Sequence, residues 1–161
     1  MRGVGGADAD ADADGRAGAR SAGGHAAVIA VDTSVVIAAL SPWHERHGDA
    51  AQACQGDAAI PAHALLEAYS TLTRMPEPLR ISGAVAAEAL SGAWGGRTLA
   101  VPEDLSADLP VLLSRASVVG GASYDGLVAL TAQAHARLIV SLDRRAERTY
   151  RLLGVDYRML A

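Results

Sequence analysis

Apolar residues along the chain fall into short blocks whose spacing alternates between strand-like and helix-like. The block AAVIAV (26–31) is a continuous, partly β-branched run, which predicts a buried parallel strand ending at Asp32. A helical stretch, SVVIAAL, follows, and Pro42 is expected to open a second helix through WHERHGDAAQACQ. DAAIP (57–61) predicts a short strand, and AHALLEAYSTLTRM (62–75) a helix stopped by Pro76 and Pro78. Its apolar stripe is predicted to run through Ala62, Leu65, Leu66, Tyr69 and Leu72. Another helix covers Gly83 to Trp94, RTLAVP gives a third strand, and DLSADLPVLLSRAS a helix broken around Pro110. The last third predicts a helix over 123–135, a strand RLIVSL (137–142), a short Arg-rich helix over 144–153 and a closing strand in VDYRML. Strands alternating with helices give an α/β protein, a three-layer α/β/α sandwich with a mainly parallel central sheet.

Composition sets the limits of that domain. Residues 1–24 are almost wholly Gly, Ala, Asp and Arg, too small and polar to offset their ordering entropy, and are expected to be a disordered low-complexity leader. The folded domain is expected to occupy 25–161. Repeated Ala-Asp in the leader lacks the turn glycine and terminal Glu of a calcium loop. The single Cys54 forms no internal disulfide and reads as a packing thiol in a reducing compartment. With no membrane-length apolar run and no signal-peptide pattern, the expected location is the cytoplasm.

The formal charge of −4 argues against coating nucleic acid by bulk electrostatics, so the distribution of charge matters more than its total. There is no Lys, and six of the arginines fall between Arg137 and Ala161 against three acids, a net of +3 for the tail. Arg144, Arg148 and Arg151 are spaced to share one face of the predicted helix, either tracking phosphates or holding a partner's carboxylate, or simply forming a solvated face with Glu147. Trp43, in the polar setting SPWHERHG, suits a surface role such as base stacking, and so does Tyr124; Trp94 suits the core. His44, His47 and His63 lack the partners that would complete a zinc site and read as solvated helix residues.

In an open parallel sheet, sites form beyond the carboxyl ends of the strands. Asp32 and Asp143 each follow a predicted strand and so lie on that edge. Asp125 joins them: a helix carries the chain about 15 Å away and the next strand returns it about 20 Å, so both ends of the unit finish together. Glu67 lies beside the apolar stripe of its helix, either on plain surface or leaning across the sheet edge. Each aspartate alone reads as a helix cap or first-turn residue. Together they repel unless a cation neutralises them, and all-oxygen donors suit Mg²⁺ or Mn²⁺. Such an ion beside a phosphodiester implies metal-assisted hydrolysis, with Thr33, Ser34 and Ser141 as neighbouring hydroxyls.

The stretches VIAVDTSVVIAAL, IPAHALLEAYSTLTRMP and SYDGLVALTAQAHARLIVSLDRRAERTYRLLGV resemble PIN-domain ribonucleases, and most closely the VapC toxins of bacterial toxin-antitoxin pairs. The resemblance spans residues 27–161. It implies that Asp32, Glu67, Asp125 and Asp143 are the catalytic acids, that Asp32, Asp125 and Asp143 hold Mg²⁺ or Mn²⁺, and that Ser34 and Ser141 support them. It further implies endonucleolytic cleavage of RNA, a homodimer, and inhibition by a cognate antitoxin whose tail enters the site, in a toxin-antitoxin hetero-oligomer. A haloacid-dehalogenase-type phosphatase wants a second Asp where Ser34 stands, a receiver domain needs a Lys, and no Gly-x-Gly-x-x-Gly loop marks a dinucleotide site. Two further readings stay open: a PIN-fold module that binds RNA or an antitoxin with little turnover, and a nuclease of RNA processing.

Overall fold

The computed structural model describes residues 28–160; the predicted leader lies outside the described residues. In chain order the elements are β1 (Ile29–Val31), α1 (Thr33–Leu40), α2 (His47–Ala53), β2 (Ile60–Pro61), α3 (Ala62–Arg74) and α4 (Gly83–Trp94). There follow β3 (Thr98–Leu99), α5 (Glu103–Arg115), α6 (Ala122–Ala134), β4 (Leu138–Ser141), α7 (Ala146–Leu153) and β5 (Tyr157–Met159). β1, β4 and β5 pair in that spatial order and β2 pairs with β3, and a single bridge between Ala30 and Ala59 joins the two sets. Every pairing among the described residues is parallel, giving the spatial order β3-β2-β1-β4-β5. Helices packed on this sheet complete the expected three-layer α/β/α architecture.

The core follows from the apolar runs. Ala30, Val31, Ile139 and Val140 are fully buried in the two central strands. Two arginines brace the opposite edge from the acids: Arg137 donates to the carbonyls of Ile29 and Asp57, at 3.0 and 2.6 Å, and Arg97 to those of Cys54, Gly56 and Ala58. Arg137 is therefore a structural tie, not part of a basic RNA surface. Gly126 lets α6 approach its neighbours, because a Cβ there would stand 2.6 Å from Leu113 Cδ2 and 3.2 Å from Leu153 Cδ1.

The structure departs from the sequence expectations in four places. The helix expected from Pro42 begins at His47, because His44 Nδ1 takes the Arg46 N–H at 3.0 Å and holds residues 42–46 in turns. α5 is continuous through Pro110; this ring is exposed, so the carbonyl it leaves without a donor lies on the wet side of the helix. The buried stripe of α3 runs through Ala64, Ala68 and Leu72, leaving Leu66 and Tyr69 exposed; small alanines let the helix lie close to the sheet where the larger residues were expected to pack. α7 starts at Ala146, two residues late, because Asp143 Oδ1 accepts the Arg145 N–H at 2.8 Å and shapes the approach as a turn.

Candidate active site

Parallel strands put all their carboxyl ends at one edge, and the acids collect there. Asp32 follows β1 and its backbone N–H extends the ladder to Val140 O at 3.0 Å. Its side chain caps α1, Oδ1 accepting from Val35 N at 3.1 Å. Oδ1 also accepts from Ser34 Oγ at 2.6 Å, while Oδ2 accepts from Ser141 Oγ and, at 3.3 Å, from Tyr150 OH. Four donors on two oxygens hold this carboxylate in one orientation. Burial pushes the Asp32 carboxyl above its ordinary range, against the pull of these hydrogen bonds toward the anion.

The serines do more than support Asp32. Ser34 Oγ accepts from Leu142 N at 2.8 Å, and Ser141 Oγ accepts from Asp143 N at 2.9 Å. Each hydroxyl thus donates to Asp32 and accepts from the loop after β4, so two short relays lock the position of Asp143 to that of Asp32. On the other side, Thr33 Oγ1 lies 2.7 Å from Glu67 Oε2, tying the start of α1 to α3. Asp125 enters from the first turn of α6. All four acids line one cavity of about 560 Å³, with Thr33, Ser34, Arg145 and Tyr150 also in its wall. A roomier cavity of about 800 Å³, bounded by Val28, Gln52 and Arg158, holds none of these acids, and size alone does not mark the chemistry.

The acids sense one another. The Asp125 carboxyl is pushed up to about 6, first by burial and then by the charges of Asp143, Glu67 and Asp32, with Arg145 pulling the other way. Such mutual repulsion in an all-oxygen wall is what a hard divalent cation relieves. Among the described residues no three His, Cys, Asp or Glu side chains are drawn together into a ready-made metal cage. What the cavity wall offers is carboxylate oxygen from four acids, the donor type of a hard cation that keeps part of its water shell. The donor set therefore fits a hydrated hard cation.

Comparison with known proteins shows the lineage. A family model described as the PIN domain matches residues 29–152. This chain belongs to the PIN-domain family. The PIN-domain chain is 37% identical over 133 residues to ribonuclease VapC40 of Mycobacterium tuberculosis, covering 83% of this chain and 99% of that protein. It is 39% identical over 128 residues to ribonuclease VapC27 of the same organism, covering 79% and 93%. The structure of FitAB bound to an IR36 DNA fragment superimposes with a TM-score of 0.62 at 21% identity, covering 81% of this chain and 94% of that one. FitAcB from Neisseria gonorrhoeae gives 0.62 at 20%, covering 80% and 95%. At those identities the structural likeness speaks for the fold.

Within this PIN domain the remaining candidates separate. Arg148 and Arg151 are exposed on α7, but Arg144 lies in the turn before it, and it is Arg145 that reaches the cavity wall. Glu147 accepts from Tyr157 OH at 3.1 Å, and no ion pair joins it to Arg144, Arg148 or Arg151 among the described residues. Trp43 is exposed and Trp94 buried, as their sequence settings suggest. The Cys54 thiol is pushed up to about 11 by burial, which leaves it inert. Sequence reasoning missed Tyr150 and Arg145. Tyr150 is buried, and burial with the adjacent Asp32 charge raises its phenol so that it stays a donor. Tyr150 lies one turn into α7, after the turn that Asp143 shapes, and only that geometry could have flagged it.

Proposed function

We propose that this PIN-domain protein is a divalent-metal-dependent endoribonuclease that acts as the toxin of a toxin-antitoxin pair. The observation carrying this reading is the convergence of Asp32, Glu67, Asp125 and Asp143 on one cavity, with Asp125 raised to about 6 by burial and then by the charges of the other three. Two relatives of the chain bear the name ribonuclease and are matched over nearly their whole length, which agrees with it.

Asp32, Asp125 and Asp143 would hold Mg²⁺ or Mn²⁺. When bound, such an ion supplies positive charge to phosphate oxygens and makes a nearby water more acidic. The chain's own groups do the rest. Ser34 and Ser141 fix Asp32 and the Asp143 loop in one geometry. Glu67, held through Oε2 by Thr33, keeps Oε1 free to accept a proton from the attacking water. Arg145, almost fully exposed at the cavity wall, meets the RNA phosphates, with Arg144, Arg148, Arg151 and Trp43 extending the contact. The same acidic cavity accepts a basic side chain from the tail of a cognate antitoxin, which blocks it. The active assembly is a homodimer, free or in a hetero-oligomer with antitoxin. Its setting is the cytoplasm, in keeping with the lack of any helix long and apolar enough to cross a membrane among the described residues.

A second reading is favoured by the hydrogen bonds that already engage both oxygens of Asp32: a module that binds RNA or antitoxin with little turnover. Induced expression with and without the neighbouring partner gene, followed by sequencing of new RNA 5′ ends, separates the two. The toxin reading expects growth arrest and discrete new ends, both suppressed by the partner. Arrest without new ends supports the binding module, and new ends without arrest support a processing nuclease.

A further inference from the structure

His63 and Tyr124 form a parallel aromatic stack, with ring centroids 5.2 Å apart and planes inclined by 4°. At that separation the rings are slid across one another, the offset arrangement that aromatic pairs prefer. His63 lies in the first turn of α3 and Tyr124 in the first turn of α6, the two helices that supply Glu67 and Asp125 to the acid cavity. Glu67 is one turn beyond His63, and Asp125 is the next residue after Tyr124. Tyr124 is nevertheless 58% exposed, so one ring face rests on the imidazole while the other is open.

The other aromatics do not share these features. Trp94 and Tyr150 are buried, and the Trp94 ring is covered by the Arg97 guanidinium at 4.7 Å. Trp43 is exposed, but its neighbour His44 is tilted by 48° at 6.2 Å and does not extend it as a stack. An exposed ring already held flat by a parallel neighbour has paid much of its ordering entropy before a ligand arrives, which is what makes a stacking surface effective.

We propose that the His63–Tyr124 pair is a platform on which one unpaired nucleobase of the substrate stacks, setting the adjoining phosphate at the acid cavity. This rests on the ribonuclease reading and deepens it: the substrate is single-stranded at the cleavage point, and Tyr124 is a substrate-positioning residue. Every base offers a π-face, so the platform selects for an unstacked nucleotide and not for a particular base. Tyr124's hydroxyl is not needed for this, whereas its ring is.

The test is steady-state cleavage of single-stranded RNA oligonucleotides by the full chain, with Tyr124→Ala, Tyr124→Phe and Tyr124→Trp beside wild type. A parallel set of oligonucleotides carries an abasic nucleotide at each position flanking the cut. Loss of a stacking partner raises KM about 5- to 150-fold in Tyr124→Ala, with a smaller change in kcat, while Phe and Trp restore it. One abasic position costs wild type the same factor and costs Tyr124→Ala nothing further. The abasic arm uses unaltered protein, so it decides the matter even if an alanine variant folds poorly. Cleavage by wild type with no sensitive abasic position, or by Tyr124→Ala at wild-type KM, overturns the platform and leaves the ribonuclease reading standing. Unchanged cleavage by Tyr124→Ala with weakened antitoxin inhibition makes the pair a protein contact and also overturns it. Absence of any RNA cleavage by wild type overturns both.

Discussion

Replacing Asp125 by Asn removes a charge while keeping shape, and its effect on stability has a sign opposite to most substitutions at a partly buried polar site. In the metal-free protein the Asp125 carboxyl is raised from 3.8 to about 6, by burial first and by Asp143, Glu67 and Asp32 next. Taken at face value the shift of about two units is worth about 3 kcal/mol. Solvent reaches this partly exposed side chain, so the realised penalty of holding it charged is nearer about 1–2 kcal/mol. A carboxyl raised in the folded state favours folding at low pH, fully below its unfolded value, and loses that contribution as pH rises through about 6. At pH 7.5 in EDTA the Asn variant is therefore expected to melt about 3–8 °C above wild type by differential scanning calorimetry. At pH 5 the folded Asp125 is largely protonated but the unfolded one is still ionised, so the gap shrinks to about half, and it closes only below about pH 4. Adding Mn²⁺ raises the wild-type midpoint and leaves the variant behind. A variant that melts at or below wild type at pH 7.5, or a gap that does not vary with pH, would refute the repulsion account.

Four further substitutions probe the site and the packing behind it. Ser141→Ala leaves the Asp143 N–H without its partner and the buried Asp32 Oδ2 with only the long bond from Tyr150, and is expected to lower stability in urea by about 1–3 kcal/mol. Tyr150→Phe removes one long hydrogen bond from an Asp32 that retains three others, so its cost is smaller, about 0.5–1.5 kcal/mol; the reverse order of the two would contradict the relay. Glu67→Gln touches an exposed side chain, so urea stability should hold while kcat falls about 10²- to 10⁴-fold with KM little changed. Gly126→Val drives a side chain into Leu113 and Leu153 and is expected to cost about 1–3 kcal/mol, read as a lowered urea midpoint.

Much of this organisation is legible in the sequence because strand runs and acid positions are local signals. AAVIAV ending in Asp32 and LIVSL ending in Asp143 place two carboxylates on one sheet edge as soon as the sheet is parallel, and the helix between Asp125 and Asp143 returns the third by length alone. α4 runs over Gly83–Trp94, the span that its pattern predicts. What the pattern missed was decided by side chains acting on backbone. His44 and Asp143 each capture an N–H two residues on and delay the next helix, which moves Arg144 off the α7 face and puts Arg145 at the cavity. The α3 stripe was misplaced because Ala64 and Ala68 are weak hydrophobic signals, yet their small size lets the helix close onto the sheet. Tyr150 could not be found from periodicity, since its ring packs as a core residue does and only its hydroxyl, meeting Asp32 across a separation of 118 positions, reveals a role at the site.

The central claim, that the four converging acids make a metal-dependent site for RNA cleavage, is tested most directly by incubating purified protein with labelled single-stranded RNA. The conditions are Mg²⁺, EDTA, and EDTA followed by excess Mn²⁺, with Asp32→Asn alongside wild type. The account predicts cleavage by wild type in Mg²⁺, none in EDTA, recovery with Mn²⁺, and none by a folded Asp32→Asn under any condition. Cleavage that persists in EDTA and survives the substitution would contradict it.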